Sequence, residues 1–133
     1  MKRIYLAAAY DRHLEMQAYA NDLRQQGYQI TSRWIWGNGI IGRFKTTVGY
    51  EKSTSIALEN ISDIMQADTF IFFIDNLKKY YKNHNHSIEF GIALGIGCIK
   101  IVAIGQVENL NIYHCINNIE NFEDWESFKS ERI

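Results

Sequence analysis

The chain has 133 residues, 14 Lys+Arg against 15 Asp+Glu, two Cys and no Pro. That length fits one domain, residues 1–133, and 47% apolar with 14% aromatic residues is globular rather than disordered composition. A net charge of −1 argues against a binder of polymeric nucleic acid, which would carry a Lys/Arg excess, but leaves small anionic ligands open.

Ile4 to Ala9 is an apolar run without polar alternation, the pattern of a strand buried on both faces. It is too short for a signal peptide core or a membrane span, so the expected setting is cytoplasmic. Cys98 and Cys115 read as reduced thiols in that setting. Asp11 can cap a helix in which Leu14, Ala18, Tyr19 and Leu23 recur at helical spacing, and Gly27 stands where a helix C-terminal glycine belongs. Tyr28–Trp34 reads as a second strand. Residues 36–55, with Gly37-Asn38-Gly39, Gly42 and Gly49, read as a long loop. Ser53 or Ser55 would start the next helix, with Ile56, Ile61, Ile64 and Met65 facing inward. Thr69–Ile74 is the most strand-like run, followed by a polar loop over 75–85. Ser87 would cap a helix over 88–96. Ile99–Ile104 and Asn111–Ile116 read as further strands, and Phe122–Ser130 as a last helix.

This order predicts an α/β fold, a doubly wound five-stranded parallel sheet between two helical layers. Ligands of such sheets bind beyond the carboxyl ends of the strands. That directs attention to Ala8-Ala9-Tyr10, to the segment after Trp34 and to the loop between Asp75 and Ser87.

Glu89 is the leading candidate there, in Ser87-Ile88-Glu89-Phe90-Gly91. A carboxylate in a first helical turn is held ionised by the helix dipole, as a nucleophile or base requires, and Ile88 and Phe90 would limit water. Gly91 and Gly95 would let the helix pack closely. The alternative is a Glu that caps its own helix. Glu59 and Asp63 share a helix face, which is ordinarily just solvated. Tyr5 is a core tyrosine or a buried hydroxyl with one partner. Trp34 and Trp36 can stack on a planar base or simply pack at the sheet edge. Arg12 and Arg33 can meet an anion. His84 and His86 form a His-x-His pair without Cys or carboxylate at ligand spacing, so no metal is expected. A P-loop and a dinucleotide Gly-x-Gly-x-x-Gly are both missing. Asp75 would suit a receiver domain, but the acidic pair after the first strand is not there.

Taken together, Ile4-Tyr5-Leu6-Ala7-Ala8, Ile30-Thr31-Ser32-Arg33-Trp34, the acidic helix ending in Ala67-Asp68, Ile88-Glu89-Phe90-Gly91-Ile92-Ala93-Leu94, Lys100-Ile101-Val102 and Asn121-Phe122-Glu123-Asp124-Trp125 resemble the nucleoside 2-deoxyribosyltransferase family, in its compact single-domain branch. The resemblance implies a flavodoxin-like fold and cleavage of the N-glycosidic bond of a 2′-deoxynucleoside or its 5′-monophosphate. The sugar would pass through a covalent ester on Glu89 to another base or to water. It implies Tyr5 as the partner that positions Glu89. The Asp that protonates the leaving base falls by register on Asn60, leaving Glu59, Asp63 or a water to substitute. Ala8, Tyr10, Trp34, Trp36 and Glu59 would bind substrate. Asn83, His84 and His86, with Arg12 and Ser87, stand where a 5′-phosphate would be tolerated. No cofactor is implied, and a homodimer or larger homo-oligomer is. The competing expectation is a non-catalytic nucleotide-binding or sensing module, favoured by Asn60.

Overall fold

A computed structural model describes residues 2–37, 45–75, 85–97, 99–106, 112–116 and 118–133, with the side chains of the segment beginning at 45 described from residue 52. The elements are β1 (Arg3–Ala7), α1 (His13–Gln25), β2 (Gln29–Ile30), α2 (Lys45–Met65), β3 (Thr69–Phe73), α3 (Asn85–Ile96), β4 (Lys100–Ile104), β5 (Ile119–Phe122) and α4 (Trp125–Arg132). Single 3₁₀ turns cover Tyr10–Arg12, Arg33–Trp36 and Ile112–Cys115. The five strands are ordered β2-β1-β3-β4-β5 and every pairing is parallel. This is the expected doubly wound α/β architecture, in the flavodoxin-like order.

Side-chain parity along each strand divides the interior into two cores. Ile4, Leu6, Ile71, Phe73, Val102 and Ile104 point to one face, where Met16, Ala20 and Leu23 of α1 and Trp125 and Phe128 of α4 cover them. Tyr5, Ala7, Phe70, Phe72, Ile101 and Ala103 point to the other, against Ile64 of α2 and Phe90 and Ala93 of α3. Parity therefore puts Tyr5, not its neighbours, on the α2–α3 side. Its ring lies parallel to that of Phe70, 5.5 Å away.

Gly27 ends α1 with φ +93, and the chain closes a six-residue C-cap in which Tyr28 N–H bonds Leu23 O and Gly27 N–H bonds Arg24 O. A side chain there would cost about 1 kcal/mol.

Several sequence expectations are corrected. The second strand stops at Ile30 instead of running to Trp34. Beyond it, the Ser32 hydroxyl accepts from Leu6 N–H at 3.1 Å, and Trp34 Nε1–H donates to Leu6 O at 2.7 Å. Side chains thus satisfy the edge of β1 where backbone was expected, freeing the chain to coil. α2 begins at Lys45, inside the expected loop, so the β-branched Thr46, Thr47 and Val48 and the glycine at 49 are helical despite weak propensity. Met65 and, on α1, Leu14 and Ala18 face solvent; Met16, Ala20 and Leu23 form the buried stripe of α1. α3 starts at Asn85, placing Ser87 inside the helix and not at its cap. Asn111–Ile116 holds a 3₁₀ turn, and the fifth strand is Ile119–Phe122, in register with Ile101–Ile104. α4 starts at Trp125, with the Asp124 carboxylate accepting from Ser127 N–H at 2.8 Å. Among the described residues a Cβ on Gly91 or Gly95 would meet nothing within 4 Å, so neither serves close packing there.

Candidate active site

A cleft of about 700 Å³, counted to its open mouth, lies at the carboxyl ends of β1 and β2, between them and the α2–α3 pair. Ala8 and Tyr10 after β1, and Arg33, Trp34 and Gly37 after β2, form one wall. Ile56, Glu59 and Asn60 of α2 and Asn85, His86 and Glu89 of α3 form the other. The β2 side is fixed by Trp34 on Leu6 O, by Gln17 Nε2 donating to Ile35 O at 2.7 Å and by the Tyr10 hydroxyl donating to Gly37 O at 2.6 Å.

Glu89 sits in the second turn of α3, facing the sheet, and is only 9% exposed. Two neighbours approach its carboxyl group. Asn60 Nδ2 donates to Oε2 at 3.5 Å, a long bond. Tyr5, fully buried beneath, has no hydrogen bond of normal geometry among the described residues, yet its hydroxyl is near enough for each group to shift the other's titration. Burial pushes the Glu89 carboxyl up from 4.5 to about 7; Tyr5 pulls it down, and the Asp63 charge adds to the rise. This reverses the expectation of a dipole-stabilised, always ionised carboxylate. The dipole acts within the first turn, and Glu89 lies beyond it. Burial, with Glu89 and Asp63 in second place, raises Tyr5 well above the ordinary phenol range, so it remains a neutral donor.

Asp63 is buried one turn from Asn60 and is gripped by Arg33. The Arg33 backbone N–H donates to Oδ2 at 3.1 Å, Nε–H to Oδ1 at 3.0 Å and Nη2–H to Oδ1 at 2.8 Å. Glu59 lies 3.5 Å from the same Nε. Asp63 therefore sits behind the cleft wall as the anchor of Arg33. His86, 2% exposed, is fixed by Asp75 Oδ2 at 2.9 Å and by stacking on Phe72.

Of the residues nominated from sequence, Ala8, Tyr10, Trp34, Glu59, Asn60, His86 and Glu89 line the cleft, with Tyr5 and Asp63 directly behind it. Arg12 instead pairs with Glu15 and lies over Phe73, on the opposite face of the sheet. Trp36 projects outward under the Arg24 guanidinium, and Ser87 is exposed and not part of the wall. Asn83 and His84 lie outside the described residues. Ile56, Asn85 and Gly37 were not nominated, and Arg33 only as a generic cation. The signal for Arg33 was its position one residue before Trp34. Among the described residues no three His, Cys, Asp or Glu side chains converge as a metal site would need. Nor, among them, is any helix long and apolar enough to cross a membrane.

No family model and no curated protein matches the chain. Among solved structures, it is similar to a 2-deoxyribosyltransferase of Bacillus psychrosaccharolyticus, with TM-score 0.70 and 18% identity, covering 98% of this chain and 91% of that one. It is also similar to a CMP N-glycosidase of Clostridium botulinum, with TM-score 0.62 and 18% identity, covering 97% of this chain and 95% of that one. Over nearly its whole length the chain has the fold of these two structures, a flavodoxin-like α/β sheet.

Proposed function

We propose that the chain is an enzyme of the nucleoside 2-deoxyribosyltransferase type, cleaving the N-glycosidic bond of a 2′-deoxynucleoside or its 5′-monophosphate. The observation that carries this reading is Glu89: a carboxyl buried at the floor of an open cleft, poised near neutrality, with a phenol beneath it and an amide beside it. The likeness to a deoxyribosyltransferase and a CMP N-glycosidase supports it. A Glu89 oxygen attacks the anomeric carbon as the bond to the base nitrogen breaks, and the bonding pair leaves with the base. An ester between the sugar and Glu89 remains. A second base or water then takes the sugar and releases the carboxylate. Tyr5 acts as a positioning donor to the carboxylate. Asn60 can hydrogen-bond the base or Glu89 but has no proton to transfer, so the leaving base is protonated by water or by Glu59. The base lies on the Trp34 side. We place the protein in the cytoplasm as one domain that assembles into a homodimer or larger oligomer without a cofactor. The exposed Leu58, Met65 and Ile88 on the outer faces of α2 and α3 suit such assembly.

A second reading, a sensing module that binds the nucleotide without turnover, is favoured by the amide at position 60 alone. Incubation with single deoxynucleosides and their monophosphates, with and without a second free base, separates these cases. Base released without acceptor means hydrolysis, and base exchange means transfer. Tight binding with no release over hours would leave only the sensing module.

A further inference from the structure

Arg33 offers the cleft a pre-formed pair of hydrogen-bond donors. One edge of its guanidinium, Nε–H and one Nη2–H, is occupied by the buried Asp63, which also holds the Arg33 backbone N–H. The fork therefore cannot swing as a solvated arginine does. Its remaining donors, two on Nη1 and one on Nη2, include a second parallel pair along the outer edge. Among the described residues these bond to nothing, and the side chain is 58% exposed at the cleft wall. Glu59, an acceptor, stands 3.5 Å from Nε, and the next residue, Asn60, touches Glu89. A base joined to a sugar at Glu89 thus meets the amide and carboxylate of the α2 wall and, where the two walls meet, the fixed donor pair of Arg33.

We infer that Arg33 selects the nucleobase, and that the substrate base is guanine or cytosine. The inference rests on the reading of the cleft as a deoxynucleoside site. A rigid two-donor fork needs two adjacent acceptors on one base edge. Guanine presents O6 and N7, and cytosine presents O2 and N3. Adenine sets an amino group beside N7, and thymine sets N3–H between its carbonyls, so neither has such a pair.

The test has two arms. In the first, base release is measured for the four deoxynucleosides and their four monophosphates. The deoxyguanosine or deoxycytidine series should exceed deoxyadenosine and thymidine by roughly ten- to a hundredfold in kcat/KM. In the second, calorimetry measures binding of the same four deoxynucleosides to Glu89→Gln protein, which reads base preference whether or not turnover occurs. Arg33→Lys keeps a cation for Asp63 but loses the fork, and should collapse the preference in both arms. Equal values for all four bases, or a preference that survives Arg33→Lys, would overturn the assignment of Arg33. Preference in binding with no release of any base would uphold it and refute the catalytic reading instead.

Discussion

Replacing Glu89 by Gln should stabilise the protein, and only above a definite pH. In the folded protein the carboxyl titrates at about 7, against 4.5 for an ordinary Glu. Below 4.5 the group is neutral in both folded and unfolded chains and contributes no difference. Between 4.5 and 7 the unfolded chain has released the proton while the folded chain retains it, so stability falls as pH rises through that window. Above 7 the full cost of keeping an ionised carboxylate buried is present. The shift corresponds to about 3 kcal/mol, taking 1.4 kcal/mol per unit. Gln has nearly the shape of the protonated acid and does not titrate. The Glu89→Gln protein should therefore melt at nearly the wild-type temperature in acid and roughly 10 °C above it in mild alkali. Thermal denaturation of the two proteins across this range isolates Glu89, because every other carboxylate is common to both. A melting difference that does not vary with pH, or a wild type more stable than the variant in alkali, would refute the burial argument.

The catalytic role makes the same titration visible in rate. Glu89 must be ionised to attack, so kcat/KM for base release should rise with pH through about 7 and then level, and a profile flat across this region would contradict the assignment. Tyr5→Phe removes the hydroxyl whose proximity pulls Glu89 downward, so the rate limb should move to higher pH. Because that hydroxyl has no hydrogen bond of normal geometry, the same change should alter stability by less than about 1 kcal/mol, checked by denaturant titration. Arg33→Ala leaves the buried Asp63 without its cation and should lower the melting temperature. In a double-mutant cycle with Asp63→Ala the two losses should fall well short of additive, whereas strict additivity would deny the coupling.

The sheet was legible because β1, β3 and β4 are unbroken apolar runs, and only strands covered on both faces have that pattern. Parity along those runs then fixes which side each residue serves, which is why Tyr5 lies under Glu89. β2 was misjudged for a specific reason. Its expected continuation from Thr31 to Trp34 looks like strand, but Ser32 and Trp34 bond Leu6 through their side chains and leave their own backbone free to turn. Helix starts were misplaced where propensity misleads. Gly49, the last of a run of spaced glycines, argued for a loop over what is the first turn and more of α2. At α3 the error had a chemical consequence. Starting the helix at Ser87 put Glu89 in the first turn, where the dipole would keep it charged, whereas the start at Asn85 leaves burial to set its state. Arg33 was visible as a cation, but its fixed fork depends on Asp63, thirty residues away, and no local pattern encodes that pairing.

The central claim is that Glu89 takes the sugar. Mixing the wild-type protein with a cleavable deoxynucleoside, quenching in acid and mapping the digested chain by mass spectrometry tests it directly. A deoxyribosyl adduct on the peptide carrying Glu89, lost in the Glu89→Gln protein, is the predicted result. Base release by wild-type protein with no adduct on that peptide, or turnover undiminished in Glu89→Gln, would contradict it.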